Sequence, residues 1–393
     1  MSQYRGRRTA PKRSRWRAST PSPPRNPAPA AEQPTSTNTP GPTSTGNSTR
    51  KATRTPSRTP SPSRIQVWRS WLARNGVLAL GLLMVTAGLV LLTGVWLDQV
   101  PAELSLAGSV LIATAYVGAL AARTGARPLP LAATALVVTS AVGFVDSEPL
   151  RTGTAVLTTV VAAVLAVMVT EPSVRTLHAV REVVIAMSVA AIGGMAALGF
   201  SPLLSQTRYE YVTLALALVT ALAFVFRLGA GFHGLGRRGL VIVLVGSAVV
   251  AVSLAYTELL RRYGSEGMLE QAATALGWTR DVFGAAPRPL EVLLGIPALM
   301  WGAHMRARRR QGWWVCAFGV AATTPVGHGL VNPAYSMGEA LLMQGYSLAL
   351  GMLIGYAVIR ADLVLTGSRG RRARRAEEAA ALRPEPPRYR PLQ

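Results

Sequence analysis

Polar side chains gather in one stretch of an otherwise apolar chain, residues 323–345, which reads TTPVGHGLVNPAYSMGEALLMQG. Pro325 removes a backbone hydrogen-bond donor and is expected to kink a helix, and Gly327 and Gly329 loosen the turn that follows. Many transporters use broken helices of this kind to expose backbone dipoles to a ligand. The polar residues of this stretch are therefore a candidate ligand site: Thr323, Thr324, His328, Asn332, Tyr335, Glu339 and Gln344.

The same stretch has a plainer interpretation. Proline and glycine are commoner in membrane helices than in soluble ones, so the kink could serve packing alone and leave His328 hydrated. His328 is nevertheless distinctive, because His178, His233 and His304 all fall on the side of the membrane that the charge pattern below predicts to be cytoplasmic.

Carboxylates are the second group of residues that could do chemistry. An ionisable side chain deep in a bilayer is unfavourable and usually functional, and the sequence predicts almost none there, which argues against a carrier driven by a central carboxylate. Asp146 and Glu148 could form an acidic mouth for a cation or polar ligand. The alternative is that the acids at outer helix ends are simply hydrated: Asp98, Glu103, Asp146, Glu148, Glu210, Glu258, Glu291 and Glu339.

Motifs of other chemistries are missing from the sequence. It contains no nucleotide-binding loop, no metal-ligand cluster and no nucleophile elbow. The single cysteine, Cys316, excludes an intramolecular disulfide and a cysteine-based zinc site. No cofactor or metal is predicted, and an enzyme is less favoured than a non-enzyme. An enzyme would act on a lipid-linked substrate at the outer face with Asp98 or Glu103 as base, in a loop of only a few residues.

The elements that must position these residues are long apolar blocks. Of the 393 residues, 50% are hydrophobic and 15% are charged. A helix needs on the order of 20 apolar residues to cross the hydrocarbon of a bilayer. Ten blocks approach or exceed that length: 76–97, 101–122, 129–146, 152–170, 183–200, 209–227, 239–257, 290–305, 313–331 and 338–359. We predict an all-α, polytopic membrane helix bundle with about ten transmembrane helices in residues 65–365.

Basic residues give the predicted orientation. With the N-terminus inside, the tails and inner loops carry 35 basic and 7 acidic residues, and the outer loops carry 6 basic and 11 acidic residues. An excess of lysine and arginine marks the cytoplasmic side, so both termini are predicted to be cytoplasmic in a cell-membrane protein. The arginines of the loop 306–310 then act as a topology anchor that touches anionic lipid headgroups; a dedicated ligand site is the alternative.

The net charge of +23 does not indicate a nucleic-acid partner. A nucleic-acid-binding protein would group its arginines on a folded face with aromatic residues between them. Here the arginines are confined to tails and short loops, as membrane insertion requires. The bilayer and its anionic headgroups are the predicted partners, together with proteins that bind the tails.

Two basic tails flank the helical region. Residues 1–64 are rich in Pro, Ser, Thr and Arg, and residues 366–393 form a second basic segment. Such composition buries too little apolar surface to offset chain entropy, so both tails are predicted to be disordered and cytoplasmic. Phosphate on a threonine that precedes proline would oppose the attraction of the first tail to anionic lipid, an electrostatic switch. The candidate sites are Thr20, Thr39, Thr55 and Thr59.

Two further patterns concern packing. The outer connection 258–289 carries Leu269, Ala272, Ala273 and Leu276 at helical spacing, which predicts a short amphipathic helix that caps the bundle or forms a lid. Small residues in AAIGGMAALG (190–199) and GMLIG (351–355) predict close approach between helices, more readily within one chain than between two.

Three functions remain open at this point. A permease or flippase-like transporter of a small or lipid-linked solute is favoured by the helix count and the kinked ninth block. A non-catalytic envelope scaffold or regulator is favoured by the long basic tails. The outer-face membrane enzyme is the third.

Overall fold

The computed structural model describes residues 64–145, 147–202, 206–263, 265–309, 311–366, 371–380 and 385–392. Within these ranges every regular element is helical, which confirms the predicted all-α class. The helices are α1 (Arg64–Trp96), α2 (Leu104–Arg123), α3 (Pro128–Phe144), α4 (Glu148–Met168), α5 (Thr176–Leu198), α6 (Gln206–Val225), α7 (Gly231–Tyr263), α8 (Glu266–Phe283), α9 (Ile296–Arg306), α10 (Gly312–Ala317), α11 (Val320–Val331), α12 (Met337–Thr366) and α13 (Arg371–Ala380). π-helical segments lie at Phe226–Ala230 and Glu291–Gly295.

Eight helical segments of the described chain are long and apolar enough to cross a membrane. They are Asn75–Trp96, Leu104–Arg123, Glu148–Met168, Thr176–Leu198, Arg208–Leu228, Gly239–Tyr256, Gly312–Val331 and Met337–Thr366. The other two predicted crossings are shorter: α3 has 17 residues, and the eighth block is divided into a π-helical segment and the 11-residue α9. Eight crossings are therefore supported by length and composition, and the count of ten stays a prediction.

The exposed surface of the outer helices is apolar. On α1, Leu83 and Val90 are 64% and 68% exposed, and on α12 Leu353 is 65% exposed. A surface of this kind would drive association in water but is well solvated by lipid tails. The fold is that of a multi-pass membrane protein.

The core is the broken helix α10–α11. The span Gly312–Val331 is 94% buried, whereas the spans of α1 and α12 are only 11% and 17% buried. α11 packs against α4, α5 and α6, and α10 packs against α9. Regular α-helical structure is interrupted between the two at Phe318 and Gly319, where backbone amides bond to carbonyls three residues earlier. The predicted ligand stretch thus begins inside the most enclosed helix of the described bundle.

Small residues make the close helix contacts that the sequence predicts. A Cβ on Gly194 of α5 would lie 2.9 Å from the Cα of Gly327 in α11. A Cβ on Gly351 of α12 would lie 2.7 Å from the side chain of Ile296. Both seams join helices of the same chain, as predicted.

The connection after α7 contains the predicted helix. α8 begins at Glu266, and Trp278, Val282 and Phe283 near its C-terminal end are more than half exposed. The side chains of the predicted apolar face lie outside the described part of the chain, so the amphipathic character of this helix stays a prediction. They are Leu269, Ala272, Ala273 and Leu276.

The prediction that the C-terminal tail is disordered is wrong for its described parts. Residues Arg371–Ala380 form α13, and residues 385–392 pack on one end of the bundle. Composition missed this because Glu385 and Arg388 form ion pairs with Arg306, Glu171 and Glu182, which lie far away in sequence. Residues 1–63, including Thr20, Thr39, Thr55 and Thr59, lie outside the described residues.

Candidate functional site

The seven predicted ligand-site residues do not converge on one cavity. They separate into a group inside the core on α11, a group at the turn between α11 and α12, and Gln344 on the next turns of α12. Helical geometry separates them, since side chains one or two positions apart point to different neighbours.

His328 is buried, which corrects the interpretation that it is hydrated. Only 4% of it is exposed. Its Nε2 lies 2.5 Å from the hydroxyl of Thr213 on α6, and its ring meets the ring of Tyr209 edge-on with centroids 5.3 Å apart. The Tyr209 hydroxyl is 2.6 Å from that of Thr159 on α4. These contacts join α4, α6 and α11 through polar atoms, so His328 has a packing role in this state.

The two threonines of α11 differ in their surroundings. The Thr323 hydroxyl donates to the carbonyl of Ala163 on α4 at 3.1 Å. The Thr324 hydroxyl is fully buried and has no hydrogen-bond partner among the residues that the structure describes. A buried unpartnered hydroxyl is unfavourable by about 1–3 kcal/mol, and it marks a place where a water or a solute group would be stabilised.

The turn group connects α8 to the bundle. Arg280 of α8 lies 3.1 Å from the Glu339 carboxylate, and its guanidinium carbon is 5.4 Å from the centre of the Tyr335 ring. Asn332 accepts a hydrogen bond from the amide of Ala334 at 2.9 Å, which shapes the turn after α11. These residues account for how α8 docks on the turn, and they lie apart from the core group.

Gln344 belongs to a buried polar cluster that sequence analysis did not find. Its side-chain amide donates to Oε2 of Glu291 at 2.9 Å, and Nη1 of Arg288 lies 3.3 Å from Oε1 of the same carboxylate. The Ser347 hydroxyl accepts a hydrogen bond from the amide of Arg288 at 2.8 Å. Glu291 is completely buried, and the Arg288 side chain is 20% exposed. We call Arg288, Glu291, Gln344 and Ser347 the polar cluster.

Arg288 reaches from the cluster into the core helix. Its Nη1 also donates to the carbonyl of Pro325, and Nη2 would lie 2.9 Å from a Cβ placed on Gly329. Pro325 is six residues before the end of α11, so the guanidinium reaches about 9 Å along that helix from its end. Glycine at 329 leaves the space that the guanidinium occupies.

The burial of Glu291 corrects the interpretation that this acid is simply hydrated. Glu291 begins the π-helical segment Glu291–Gly295, and a Cβ on Gly295 would overlap the backbone of Ala322 on α11. Proximity of Glu291 to an arginine three residues earlier was visible in the sequence. Burial was not, because Pro287, Pro289 and the loop preceding α9 suggested an outer connection.

The predicted acidic mouth is only half described. Asp146 lies outside the described residues, and Glu148 is exposed in the first turn of α4. Asp98 and Glu103, the candidate bases of an enzyme, are both exposed on the short connection between α1 and α2. Within the described parts of the chain, no group of three or more His, Cys, Asp or Glu side chains could hold a metal ion.

A separate cavity of about 250 Å³ lies between α2, α3 and α4. Its lining is apolar apart from Tyr116 and a few threonines, among them Thr154 and Thr158. None of the predicted ligand residues lines it. Thr159, which follows Thr158 on α4, does not line the cavity and bonds instead to Tyr209.

Comparison with known protein families, curated proteins and solved structures yields no match.

Proposed function

We propose that this chain is a permease or flippase-like transporter of a small or lipid-linked solute. The observation that carries the proposal is the polar cluster, in which a buried carboxylate and a largely buried guanidinium lie where the π-helical segment Glu291–Gly295 packs against α11 and α12. Ionisable groups within membrane bundles are unfavourable and persist mainly where they line a solute pathway.

The helices around the cluster support the same proposal. Glu291 opens a π-helical segment, α11 contains Pro325, and α10 and α11 are separated by a break. π-helical turns frequently occur at functional sites, and interrupted helices present backbone carbonyls and amides to transported solutes. Arg288 already binds one such carbonyl, that of Pro325. A polar solute group would compete for these donors and acceptors.

The lipid-linked class is favoured by the apolar cavity between α2, α3 and α4. A lining that is apolar apart from one tyrosine and a few threonines accommodates the hydrocarbon of a lipid-linked solute better than it accommodates a free polar solute. We further propose ten crossings of the cell membrane with both termini in the cytoplasm, since that arrangement places most of the basic residues on the inner side.

A complementation experiment tests the proposal. The double variant Arg288→Gln with Glu291→Gln removes both charges of the cluster without leaving one of them alone. The matched control, Arg262→Gln with Glu258→Gln, removes the same two charges from an i,i+4 pair on α7 whose side chains are 67% and 27% exposed. Both variants are expressed in a deletion strain of the source organism, and membrane insertion is measured for each.

We expect the control to restore growth and the cluster variant to fail although it inserts to the same level. Full restoration by the cluster variant would refute a role of the polar cluster in transport. 

A second candidate, the envelope scaffold or regulator, is favoured by the 63 residues that precede α1 and carry 12 basic residues against one acid before residue 64. A chain lacking residues 1–63 separates the two functions. A scaffold loses its function in that deletion and keeps it in the cluster variant, whereas a transporter shows the reverse. The deletion leaves residues 385–392 in place because they pack on the bundle.

The outer-face enzyme has less support. Asp98 and Glu103 are exposed on a connection of seven residues between α1 and α2. A general base needs a nearby cleft that holds its substrate in reach, and the described cavity is lined by neither residue.

A further inference from the structure

Two arginines are buried side by side at the end of the bundle opposite the polar cluster. Arg123, at the end of α2, and Arg306, at the end of α9, are each 1% exposed. Both bind the C-terminal end of α4: Arg123 Nε donates to the carbonyl of Met168 at 2.9 Å, and Arg306 Nη2 donates to that of Thr170 at 3.0 Å. Arg306 Nη1 also donates to the Thr170 hydroxyl at 2.8 Å.

The Trp313 ring of α10 covers one face of the Arg306 guanidinium, 3.5 Å from its carbon. The other side-chain hydrogen bonds of both arginines go to the segment 385–392. Arg123 Nη1 donates to the carbonyls of Pro387 at 2.7 Å and Arg390 at 2.8 Å. Arg306 Nη2 bonds to the carboxylate of Glu385. Together these contacts place a carboxylate and main-chain carbonyls, all electron-rich acceptors, over two guanidinium groups.

The same segment is also held by an ion pair in which the segment supplies the arginine and the bundle supplies the carboxylates. Arg388 lies 2.7 Å from the carboxylate of Glu182 and 3.3 Å from that of Glu171. Glu182 is also bonded to Arg181 and to the amide of Glu171, so it keeps partners when Arg388 leaves. Arg123 and Arg306 would lose a larger share of their acceptors than Glu182 would.

Two buried like charges require an anion nearby, because taking a guanidinium out of water is unfavourable unless a counter-charge is present. Glu385 supplies that charge to Arg306. Within the described chain, Nη2 of Arg123 is buried and has no hydrogen-bond partner. The pocket therefore has more donors than the segment 385–392 satisfies.

We propose that Arg123 and Arg306 form a binding site for a phosphate group, and that the segment 385–392 occupies it as an internal competitor. Guanidinium groups bind phosphate with two parallel hydrogen bonds. The Nε and Nη2 atoms of Arg306 already hold the Glu385 carboxylate in this way. The phosphate would replace Glu385 and also engage the unpartnered Nη2. The positive-inside pattern assigns this end of the bundle to the cytoplasm, where both lipid headgroups and soluble phosphates are available.

The position of the segment reports occupancy of the site. Full-length protein is placed in phosphatidylcholine nanodiscs, and Tyr389→Cys, whose tyrosine is 56% exposed, carries a spin label. The native cysteine, Cys316, is fully buried and does not react. One arm titrates inorganic pyrophosphate into the solution, against chloride at matched ionic strength. The other arm replaces part of the lipid by phosphatidic acid and adds no soluble phosphate.

Glu385→Gln is the test variant, and Glu378→Gln is its control. Glu378 is an exposed acid on α13, so its substitution removes the same charge from the same tail without touching Arg306. Loss of a charge-assisted hydrogen bond corresponds to about a tenfold change in a binding equilibrium. We expect Glu385→Gln to lower, by about tenfold, the phosphate concentration or the phosphatidic-acid fraction at which half of the labelled segments have left the site. The control should leave that midpoint unchanged.

Release by pyrophosphate alone would assign the site to a soluble phosphate, and release by phosphatidic acid alone would assign it to a headgroup. Release by neither, or equal release by matched chloride, would overturn the proposal. Equal behaviour of Glu385→Gln and Glu378→Gln would also overturn it, because the segment would then not compete through Glu385.

Discussion

Glu291→Gln is the change that most directly examines the polar cluster. The substitution preserves the shape of the side chain and removes its charge. In the folded protein the Glu291 side chain is completely buried, and its two oxygens bond to Arg288 at 3.3 Å and to Gln344 at 2.9 Å. The variant therefore leaves the Arg288 guanidinium enclosed beside an amide.

The structure bounds the size of the effect. Removing one partner of a buried ion pair is typically unfavourable by about 3–5 kcal/mol. Arg288 keeps 20% of its side chain exposed and also donates to the Pro325 carbonyl, so part of its charge stays solvated and about 2–3 kcal/mol is expected. At the per-residue unfolding entropy of soluble proteins, that loss lowers the Tm of a bundle of this size by about 3–4 °C.

The assay is thermal unfolding of purified protein in one detergent at one protein concentration. Unfolding of a membrane bundle is often irreversible, so all variants are compared at one scan rate. Glu270→Gln is the control, because it makes the same substitution at an exposed carboxylate on α8. Substitution of an exposed side chain changes stability by about 0.5 kcal/mol or less, so the control should shift Tm by about 1 °C or less.

The double variant Arg288→Gln with Glu291→Gln completes the test. It removes the lone charge, and replacement of both members of a buried ion pair is often close to neutral. We expect it to melt above the Glu291→Gln variant. If the Tm of Glu291→Gln equals that of its control, or if the Tm of the double variant is no higher than that of Glu291→Gln, the cluster is not a buried ion pair and our reasoning about it is wrong.

Three further predictions concern packing, the core threonines and topology. Gly295→Ala should lower Tm strongly, because its methyl group would overlap the backbone of Ala322, whereas Gly277→Ala on α8 meets no atom within 4 Å and should leave Tm unchanged or raised. Equal shifts would contradict the packing of the π-helical segment Glu291–Gly295 on α11. Thr323→Val should lower Tm by removing the hydrogen bond to the Ala163 carbonyl. Thr324→Val should not lower Tm, since that hydroxyl has no partner among the described residues. A larger loss of Tm in Thr324→Val would indicate that the hydroxyl has a partner, and complementation by the variant would then test whether that partner serves function. Reporter fusions should place both tails in the cytoplasm and α8 outside; a cytoplasmic α8 would refute the predicted orientation.

Much of the fold was predictable because lipid imposes simple rules. Every backbone polar group must be satisfied within a helix, and about 20 apolar residues are needed for one crossing. The blocks of α1, α2, α4 and α12 therefore stood out in the sequence, and small-residue seams such as Gly351 and Gly355 indicated where helices meet. Composition also indicated that the helices would be the only regular elements, which holds for the described chain.

The candidate site was predictable only in part. Position in sequence placed Thr323, Thr324 and His328 on one helix, α11. The interruption of that helix lies at Phe318 and Gly319, before the predicted kink at Pro325. It could not separate them from Glu339, which docks α8 through Arg280. These residues are close in sequence, on either side of the turn after α11, but helical geometry directs their side chains to different neighbours.

Tertiary structure alone decided which charges are buried. From the sequence, Arg288 looks like a residue of an outer loop and Glu291 like a hydrated acid at an outer helix end, and Glu385 and Arg388 look like residues of a solvated tail. Each is instead enclosed by partners distant in sequence: Gln344 and Pro325 for the first pair, and Arg306 and Glu182 for the second. Local composition measures the tendency of a segment to leave water, whereas the burial of a charge depends on a counter-charge that only the folded chain brings within reach.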